Sequence, residues 1–224
     1  QLVDVGPPDL TIDQPVPDLP LVPDVLPADL LPPADGALAD LPGSCPAACT
    51  GGCAGGGCVI DCSAKNACAS QVSCPAGLSC LIDCTGQGSC AAGVDCSKAP
   101  GCRIDCAGPQ SCQAKLTCGP GNCDVFCTGF QSCKLGVDCS KGNNCTIDCG
   151  AGLHDQTCRD GAVYCGNGFC KVRCTGFEGC NSGVDAFTSC GASIQCTGAN
   201  TCKGGVICPS KCPGKCSPAD ACGC

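Results

Sequence analysis

The chain has 224 residues, of which 34 are cysteine and 33 are glycine, with no tryptophan or methionine and a formal net charge of −8. So few large apolar side chains cannot build the broad core that usually stabilises a chain of this length, and cysteine at this density is typical of a disulfide scaffold in an oxidising compartment. The charge excludes a basic face for nucleic acid, and no segment has the roughly 18 consecutive apolar residues of a membrane span.

The first predicted region, residues 1–44, is an extended proline-rich arm. It has no cysteine and carries eight aspartates without a lysine, arginine or glutamate, so the whole net charge lies here. Proline fixes φ and removes a backbone donor, which favours a polyproline-like conformation. The arm is similar to the Asp-Leu-Pro spacers of secreted bacterial proteins. Its recurring Asp-Leu and Asp-Val steps supply apolar candidates for assembly contacts with another subunit, namely Leu10, Leu19, Val25, Leu30 and Leu41.

A repeat follows the arm. Residues 45–57 are interpreted as an N-terminal half-coil cap, 58–212 as the repeats and 213–224 as a C-terminal cap. The segments CVIDCSAKNACASQVSCPAGLS (58–79) and CLIDCTGQGSCAAGVDCSKAPG (80–101) share the pattern C-x3-C-x5-C-x5-C-x4, which closes at 22 residues. The sequence therefore predicts an all-β fold, a Cys-rich parallel β-solenoid of about seven or eight coils with about 22 residues per coil.

Side chains within each coil alternate with a period of two, as in a strand with one buried face. Aligned coils give two apolar columns, which we expect to line the core: Ile60, Ile82, Ile104, Val125, Ile147, Val172 and Ile194 in the first, and Val72, Val94, Leu116, Val137, Val184 and Val206 in the second. Thr-Gly pairs recur between the strands, where glycine is expected to supply a positive φ; these glycines are Gly86, Gly129, Gly176 and Gly198.

The cysteines are interpreted as disulfide partners in the inward register, with the pairing left open. No C-x2-C spacing typical of zinc or haem sites occurs, so we predict no metal ligation by cysteine and no cofactor. Ala192 occupies a cysteine position, which leaves a disulfide between subunits open. The structural candidates are Cys58, Cys62, Cys68, Cys74, Cys80, Cys84, Cys90, Cys96, Cys102, Cys106, Cys112, Cys118, Cys123, Cys127, Cys133 and Cys139.

The half-coil CTGQGSCAAGVDC (84–96) resembles the short disulfide-braced coils of the insect β-solenoid antifreeze proteins. The resemblance implies a narrow stack of coils and covers about half of each repeat. Those proteins bind ice through Thr-x-Thr ladders, which this sequence lacks, so we rank ice binding behind other functions.

The best candidate for a ligand site is a column of aspartates, Asp61, Asp83, Asp105 and Asp148, with Asp95 and Asp138 on the second strand. Stacked carboxylates can hold Ca²⁺, and the alternative is a solvated ladder beside the cysteines. The single histidine, His154, lies in an inserted turn and is interpreted as a solvated loop residue.

The leading hypothesis is a structural subunit of an extracellular, disulfide-hardened fibre or surface assembly. It is a homopolymer in which the N-terminal arm docks on neighbouring subunits. The alternative is a monomeric cell-surface module that binds Ca²⁺ or polysaccharide on a proline-rich stalk. An enzyme is not expected. The start at Gln1 without methionine is consistent with secretion through a removed signal peptide.

Overall fold

The computed structural model describes residues 45–150 and 156–209, and each coil contributes one long strand and one short strand. The long strands form an eight-stranded sheet, called the long sheet, in the order β1 (Gly52–Ala54), β2 (Gly57–Asp61), β4 (Ser79–Asp83), β6 (Gly101–Asp105), β8 (Asn122–Cys127), β10 (Cys145–Cys149), β12 (Phe169–Thr175) and β14 (Gly191–Thr197). The short strands form a seven-stranded sheet, called the short sheet: β3 (Val72–Ser73), β5 (Val94–Asp95), β7 (Leu116–Thr117), β9 (Val137–Asp138), β11 (Val163–Tyr164), β13 (Val184–Asp185) and β15 (Val206–Ile207).

Neighbouring strands pair in parallel and in register, which stacks equivalent positions of successive coils into columns. Ile60 pairs with Ile82 and Ile82 with Ile104 in the long sheet, and Val72 pairs with Val94 in the short sheet. The predicted fold is confirmed, because the described body is a cysteine-rich parallel β-solenoid of seven coils with a spacing of about 22 residues. The described ranges contain no helix that could cross a bilayer.

The core is narrow and follows the two columns predicted from the sequence. Ile82, Ile104 and Val94 are completely buried, and the cysteines that flank them are also part of the buried core. Val163, which the alignment missed because an insertion precedes it, completes the second column and is also completely buried. A single coil cannot bury its own inward face, so each coil depends on its neighbours for stability.

Two turns join the strands of every coil. The first turn follows a long strand, as at 62–68, and the second turn follows a short strand and leads into the next coil, as at 74–80. The first turns stack so closely that a Cβ at Gly108 would lie 2.2 Å from the carbonyl oxygen of Gly86. Glycine is therefore required there by close approach of backbones.

The expected positive φ at the Thr-Gly glycines is correct at Gly176 and Gly198 but wrong at Gly86 and Gly129. At Gly129 the reason for glycine is again contact, since a Cβ would lie 2.2 Å from the carbonyl oxygen of Gly108. The left-handed residues of the first turn are found two and four positions further along the chain.

The N-terminal end of the long sheet carries a short hairpin instead of another parallel strand. β1 pairs antiparallel with β2, with Cys53 opposite Cys58. Thr50 reinforces this edge, since its Oγ1 accepts a hydrogen bond of 2.9 Å from the amide of Asp61. An antiparallel strand of only three residues is a poor template for further parallel pairing.

Candidate functional site

Apart from two bridges at the N-terminal hairpin, each described disulfide closes a single turn and does not join equivalent positions of stacked coils. Two bridges, Cys45–Cys53 and Cys49–Cys58, fasten the N-terminal hairpin. First turns are closed by Cys62–Cys68, Cys84–Cys90, Cys106–Cys112, Cys127–Cys133, Cys149–Cys158, Cys174–Cys180 and Cys196–Cys202. Second turns are closed by Cys74–Cys80, Cys96–Cys102, Cys118–Cys123, Cys139–Cys145 and Cys165–Cys170.

These bridges span only five to nine positions of sequence. Loops of that size lose less chain entropy than long ones, so the chain-entropy model gives about 2 kcal/mol for each bridge. Successive coils are held together by backbone hydrogen bonds and by the packing of the buried columns. The disulfides thus shape each coil, and the sheets hold the coils together.

The cysteine that closes each described first turn has a left-handed backbone, with φ between 48° and 51°. The residue two positions before it is also left-handed, at Asn66, Gly88, Gln110, Gln131, Gln156, Glu178 and Asn200. A residue with a Cβ disfavours this conformation by about 1 kcal/mol. Because every described first turn keeps its disulfide, the bridge and the strained backbone occur together.

The left-handed residues two positions before the closing cysteines carry a ladder of side-chain amides. Gln131 donates from Nε2 to Oε1 of Gln156 over 2.7 Å, and Gln110 contacts Gln131 in the same way over 3.5 Å. Gln113 donates from Nε2 to the carbonyl oxygen of Gln131 over 2.7 Å. The amides bind each other along the stack, which reinforces the first turns.

One second turn lacks its bridge at both ends. Its cysteine positions hold Ala186 and Ala192, and both alanines are completely buried. Ala192 therefore leaves no in-register cysteine without a partner, which removes the reason given above for a disulfide between subunits. In the same turn Cys190 is exposed and is the single free cysteine in the described ranges.

The predicted aspartate column is continuous over three coils only. Asp61, Asp83 and Asp105 are in-register neighbours on the outer face of the long sheet, where equivalent atoms lie about 4.8 Å apart. Phe126 takes the next position, which separates Asp105 from Asp148. Asp148 is then bound by the guanidinium group of Arg173, whose Nε lies 3.0 Å from Oδ1.

Asp61 and Asp83 each accept a hydrogen bond from the backbone amide two residues further along the chain. Asp61 accepts a hydrogen bond from the amide of Ser63 over 2.9 Å, and hydrogen bonds from Ser63 lower the pKa of Asp61. At Asp105, burial followed by the negative charge of Asp83 raises the pKa, and the charge of Arg103 opposes this shift. A cation bound between Asp83 and Asp105 would therefore reduce the repulsion between their two carboxylates.

Asp95 and Asp138 lie on the outer face of the short sheet and do not join the other aspartates. Hydrogen bonds from Ser97 lower the pKa of Asp95. At Asp138 burial raises the pKa, but hydrogen bonds from Lys115 and from Ser140 outweigh it, so the net shift is downward. Lys115 contacts Asp138 over 2.7 Å.

The outward columns are chemically irregular, in contrast to the buried ones. One column of the long sheet reads Val59, Leu81, Arg103, Asp124, Thr146, Lys171 and Ser193. Exposed aromatic side chains lie in the later coils, where Tyr164, Phe169, Phe177 and Phe187 are 40–56% accessible. A repeating ligand such as an ice lattice would need a regular face, which these columns do not offer.

Groups of three cysteine sulfurs, such as those of Cys84, Cys106 and Cys112, lie within 4.8 Å of one another. Cys106 and Cys112 are joined to each other, so this group offers disulfide sulfur and not the thiolates that bind metals. The assembly candidates in the arm, His154 and the predicted C-terminal cap lie outside the described residues.

Sequence reasoning missed Phe126, Arg173 and Ala186. The first two could have been found by extending the aspartate column through every aligned coil. Ala186 could have been found by aligning the altered second turn on its closing position, Ala192.

Comparison with protein-family models, with curated proteins and with solved structures found no match for this chain.

Proposed function

We propose that the protein is a structural subunit of an extracellular fibre or surface assembly. The observation that carries the proposal is the rod itself, in which a disulfide closes nearly every described turn while the outward columns vary freely. Such a pattern gives every coil stiffness and resistance to unfolding but does not repeat one surface chemistry along the stack. The proposed role is mechanical and not catalytic.

An extracytoplasmic location is part of the proposal. The fourteen disulfides between described cysteines fit an oxidising compartment, since bonds of this kind are reduced in the cytosol. Export by a removed signal peptide would bring the chain to that compartment.

The proposed polymerising element is the arm, residues 1–44, of each subunit. Simple end-to-end stacking of the long sheets is disfavoured at the N-terminal end, because β1 runs antiparallel to β2 and is only three residues long. A separate element with periodic leucine and valine side chains can instead bind to a neighbouring rod by strand addition or in a groove.

The test is the removal of residues 1–40 from the full chain. The fibre function predicts that the native chain forms regular filaments, seen by negative-stain electron microscopy, and that the truncated chain remains folded but sediments as a monomer. Circular dichroism of the truncated chain controls for folding. An unchanged state of association after the deletion would contradict the fibre function and favour a stalk.

A second candidate, a surface module that binds Ca²⁺, is favoured by one observation. Burial and the charge of Asp83 raise the pKa of Asp105, so a cation between them would remove repulsion. This candidate predicts that Ca²⁺ raises the melting temperature of the native chain and has no effect on an Asp83→Asn/Asp105→Asn variant. An equal response of both chains, or of neither, would reject it. The other ligand proposed for this surface module is a polysaccharide.

A further inference from the structure

Two second-turn disulfides bring their sulfur atoms into contact across neighbouring coils. The bridge Cys118–Cys123 closes the turn after β7, and the bridge Cys139–Cys145 closes the turn after β9 in the next coil. The Sγ atoms of Cys118 and Cys139 lie 3.1 Å apart. Reacting atoms that are held ready for attack lie about 3–3.5 Å apart, so the two bridges are placed for exchange.

The backbone spacing also suits bridges that run from one coil to the next. Cys123 and Cys145 are in-register partners in the long sheet. The amide of Cys118 donates to the carbonyl oxygen of Asp138, as in a parallel ladder, so Cys118 lies beside Cys139. Equivalent Cα atoms of neighbouring strands are about 4.8 Å apart, which is inside the range of about 4.4–6.8 Å that a disulfide spans.

These sulfur atoms are shielded from solvent. Cys118, Cys123 and Cys139 are completely buried, and Cys145 is 2% accessible. Because thiol exchange depends on access to the sulfur, a thiolate formed here meets the neighbouring bridge before it meets an external reagent. The exchange is therefore expected to stay within one chain.

We propose that these two in-turn bridges exchange into two bridges between coils, Cys118–Cys139 and Cys123–Cys145, when a small-molecule thiol opens one of them. The small thiol reaches the sulfur atoms when the coils open locally. This inference goes beyond the proposed fibre function, because it concerns covalent links within a single chain.

The exchange begins when the small thiol loses its proton to solvent and its thiolate attacks Sγ of Cys123. A mixed disulfide forms at Cys123, the bond to Cys118 breaks, and Cys118 leaves as a thiolate. This thiolate attacks Sγ of Cys139, which forms the first bridge between coils and releases Cys145 as a thiolate. Cys145 then attacks Sγ of Cys123, which forms the second bridge and releases the small thiol. Two disulfides are consumed and two are formed, so the protein is neither oxidised nor reduced overall.

The new bridges differ from the old ones in what they hold together. Cys118–Cys139 spans 21 positions of sequence, whereas the two in-turn bridges span five and six. A bridge that closes a longer loop restricts the unfolded chain more strongly. The exchanged protein is therefore expected to unfold at a higher guanidinium concentration, with its coils tied covalently to each other.

The first experiment places a single thiol in the full chain in two ways. Cys123→Ala leaves the thiol of Cys118, and Cys145→Ala leaves the thiol of Cys139. We expect both variants to contain the same Cys118–Cys139 bridge, with the thiol displaced to Cys145 in the first and to Cys123 in the second. The two pairings of each variant should occur within about tenfold of each other, because both have the spacing of a disulfide.

Alkylation in acidic denaturant, where thiolates are protonated and exchange stops, fixes the pairing before mass spectrometry of the unreduced peptides. A thiol that stays on Cys118 in the first variant and on Cys139 in the second would overturn the inference. The control is Cys53→Ala, which leaves one thiol on Cys45 in the N-terminal hairpin. A Cys118–Cys139 bridge at the same level in this control would show general scrambling, and it would also overturn the inference.

The second experiment uses the native chain, which avoids mispairing of an odd cysteine during folding. The chain is incubated with mercaptoethanol and its disulfide in guanidinium below the unfolding transition. We expect Cys118–Cys139 and Cys123–Cys145 to appear together. The rate should rise about tenfold between pH 6 and pH 7, because the attacking species is the thiolate.

The rate should not depend on the concentration of the protein, because every step after the first lies within one chain. A rate that rises with protein concentration, or in-turn bridges that persist unchanged, would overturn the exchange. Both experiments are read on peptides of single chains, so a failure of the chain to form filaments leaves their results unaffected.

Discussion

The two kinds of turn in each coil differ in how strictly their disulfide is kept. All seven described first turns are bridged, even where an insertion lengthens the loop between Cys149 and Cys158. The second turn between β13 and β14 has lost its bridge to Ala186 and Ala192 without a break in either column. The first-turn bridge thus holds a left-handed cysteine in place, whereas the second-turn bridge joins cysteines whose own backbone conformation is ordinary.

The largest effect is expected from removing one bridge of each kind. Cys106→Ala/Cys112→Ala should lower the free energy of unfolding by about 2 kcal/mol through the loss of the bridge, because alanine keeps the Cβ and therefore the cost of the left-handed backbone. Cys118→Ala/Cys123→Ala, which imitates the natural alanine pair, should lower it by about 2 kcal/mol. Guanidinium unfolding followed by circular dichroism measures both.

A variant with glycine at position 112 measures the cost of the left-handed backbone separately from the loss of the bridge. Cys106→Ala/Cys112→Gly should recover about 1 kcal/mol, because glycine adopts a positive φ without a steric penalty. Equal stability of the variants with alanine and glycine at position 112 would contradict the role assigned to the backbone.

The next effect concerns the close stacking of first turns. Gly108→Ala would place a Cβ 2.2 Å from the carbonyl oxygen of Gly86, so the coils must separate locally, and we expect a loss of about 2 kcal/mol. The control is Gly101→Ala at the end of a second turn, where the nearest atom is the Ser79 hydroxyl oxygen at 3.1 Å. Thermal unfolding of both variants should show a clear drop for the first alone.

A smaller effect is expected inside the first turns. The buried hydroxyl group of Ser111 donates to the carbonyl oxygen of Gly108 over 2.8 Å, so Ser111→Ala should cost about 1 kcal/mol. Ser132 lies one coil further in the same column, but its hydroxyl has no hydrogen-bond partner among the described residues. Ser132→Ala should therefore change the free energy of unfolding very little, and a loss equal to that of Ser111→Ala would refute the difference.

The smallest effect depends on pH. Burial and the charge of Asp83 raise the pKa of Asp105 in the folded protein, so its contribution to stability falls as the pH rises through that pKa. Asp105→Asn should stabilise the protein at pH 7 by about 0.5 kcal/mol or less, and the difference should vanish in acid, where the carboxyl group is protonated.

Asp61→Asn is the matched control with the opposite sign. Hydrogen bonds from Ser63 lower the pKa of Asp61, so its contribution is present at neutral pH and is lost as the pH falls through the folded value. Identical pH profiles for the two variants would show that the environments of the two carboxyl groups do not differ.

Much of the fold could be predicted from the sequence because the solenoid repeats its inward positions. The column that begins with Ile60 is constant in character, so period and alternation identify both sheets. Val163 was missed because the insertion before it shifts the alignment.

The finer geometry could not be read from spacing. Gly86 and Cys90 lie four positions apart in one turn, and the sequence suggests that glycine has the unusual φ. In the structure the cysteine has it, with φ 49°, and glycine is needed at position 86 for another reason, because a Cβ there would lie 2.1 Å from the carbonyl oxygen of Ala64. Such contacts depend on how one coil approaches the next, which a single coil sequence does not specify.

The candidate sites depend still more on neighbours. Asp148 belongs to the aspartate column by pattern, yet Phe126 separates it from Asp105 and Arg173 neutralises it. The disulfide pairing also required the structure, since both partners of a bridge lie in one turn and each could equally have paired across coils.

Electron microscopy of the native, unreduced full-length chain shows whether the protein forms a polymer. We expect regular filaments with an axial repeat of about 40 Å, the length of about eight stacked coils at about 4.8 Å each. Single compact rods of that length, at every concentration tested, would contradict a structural polymer.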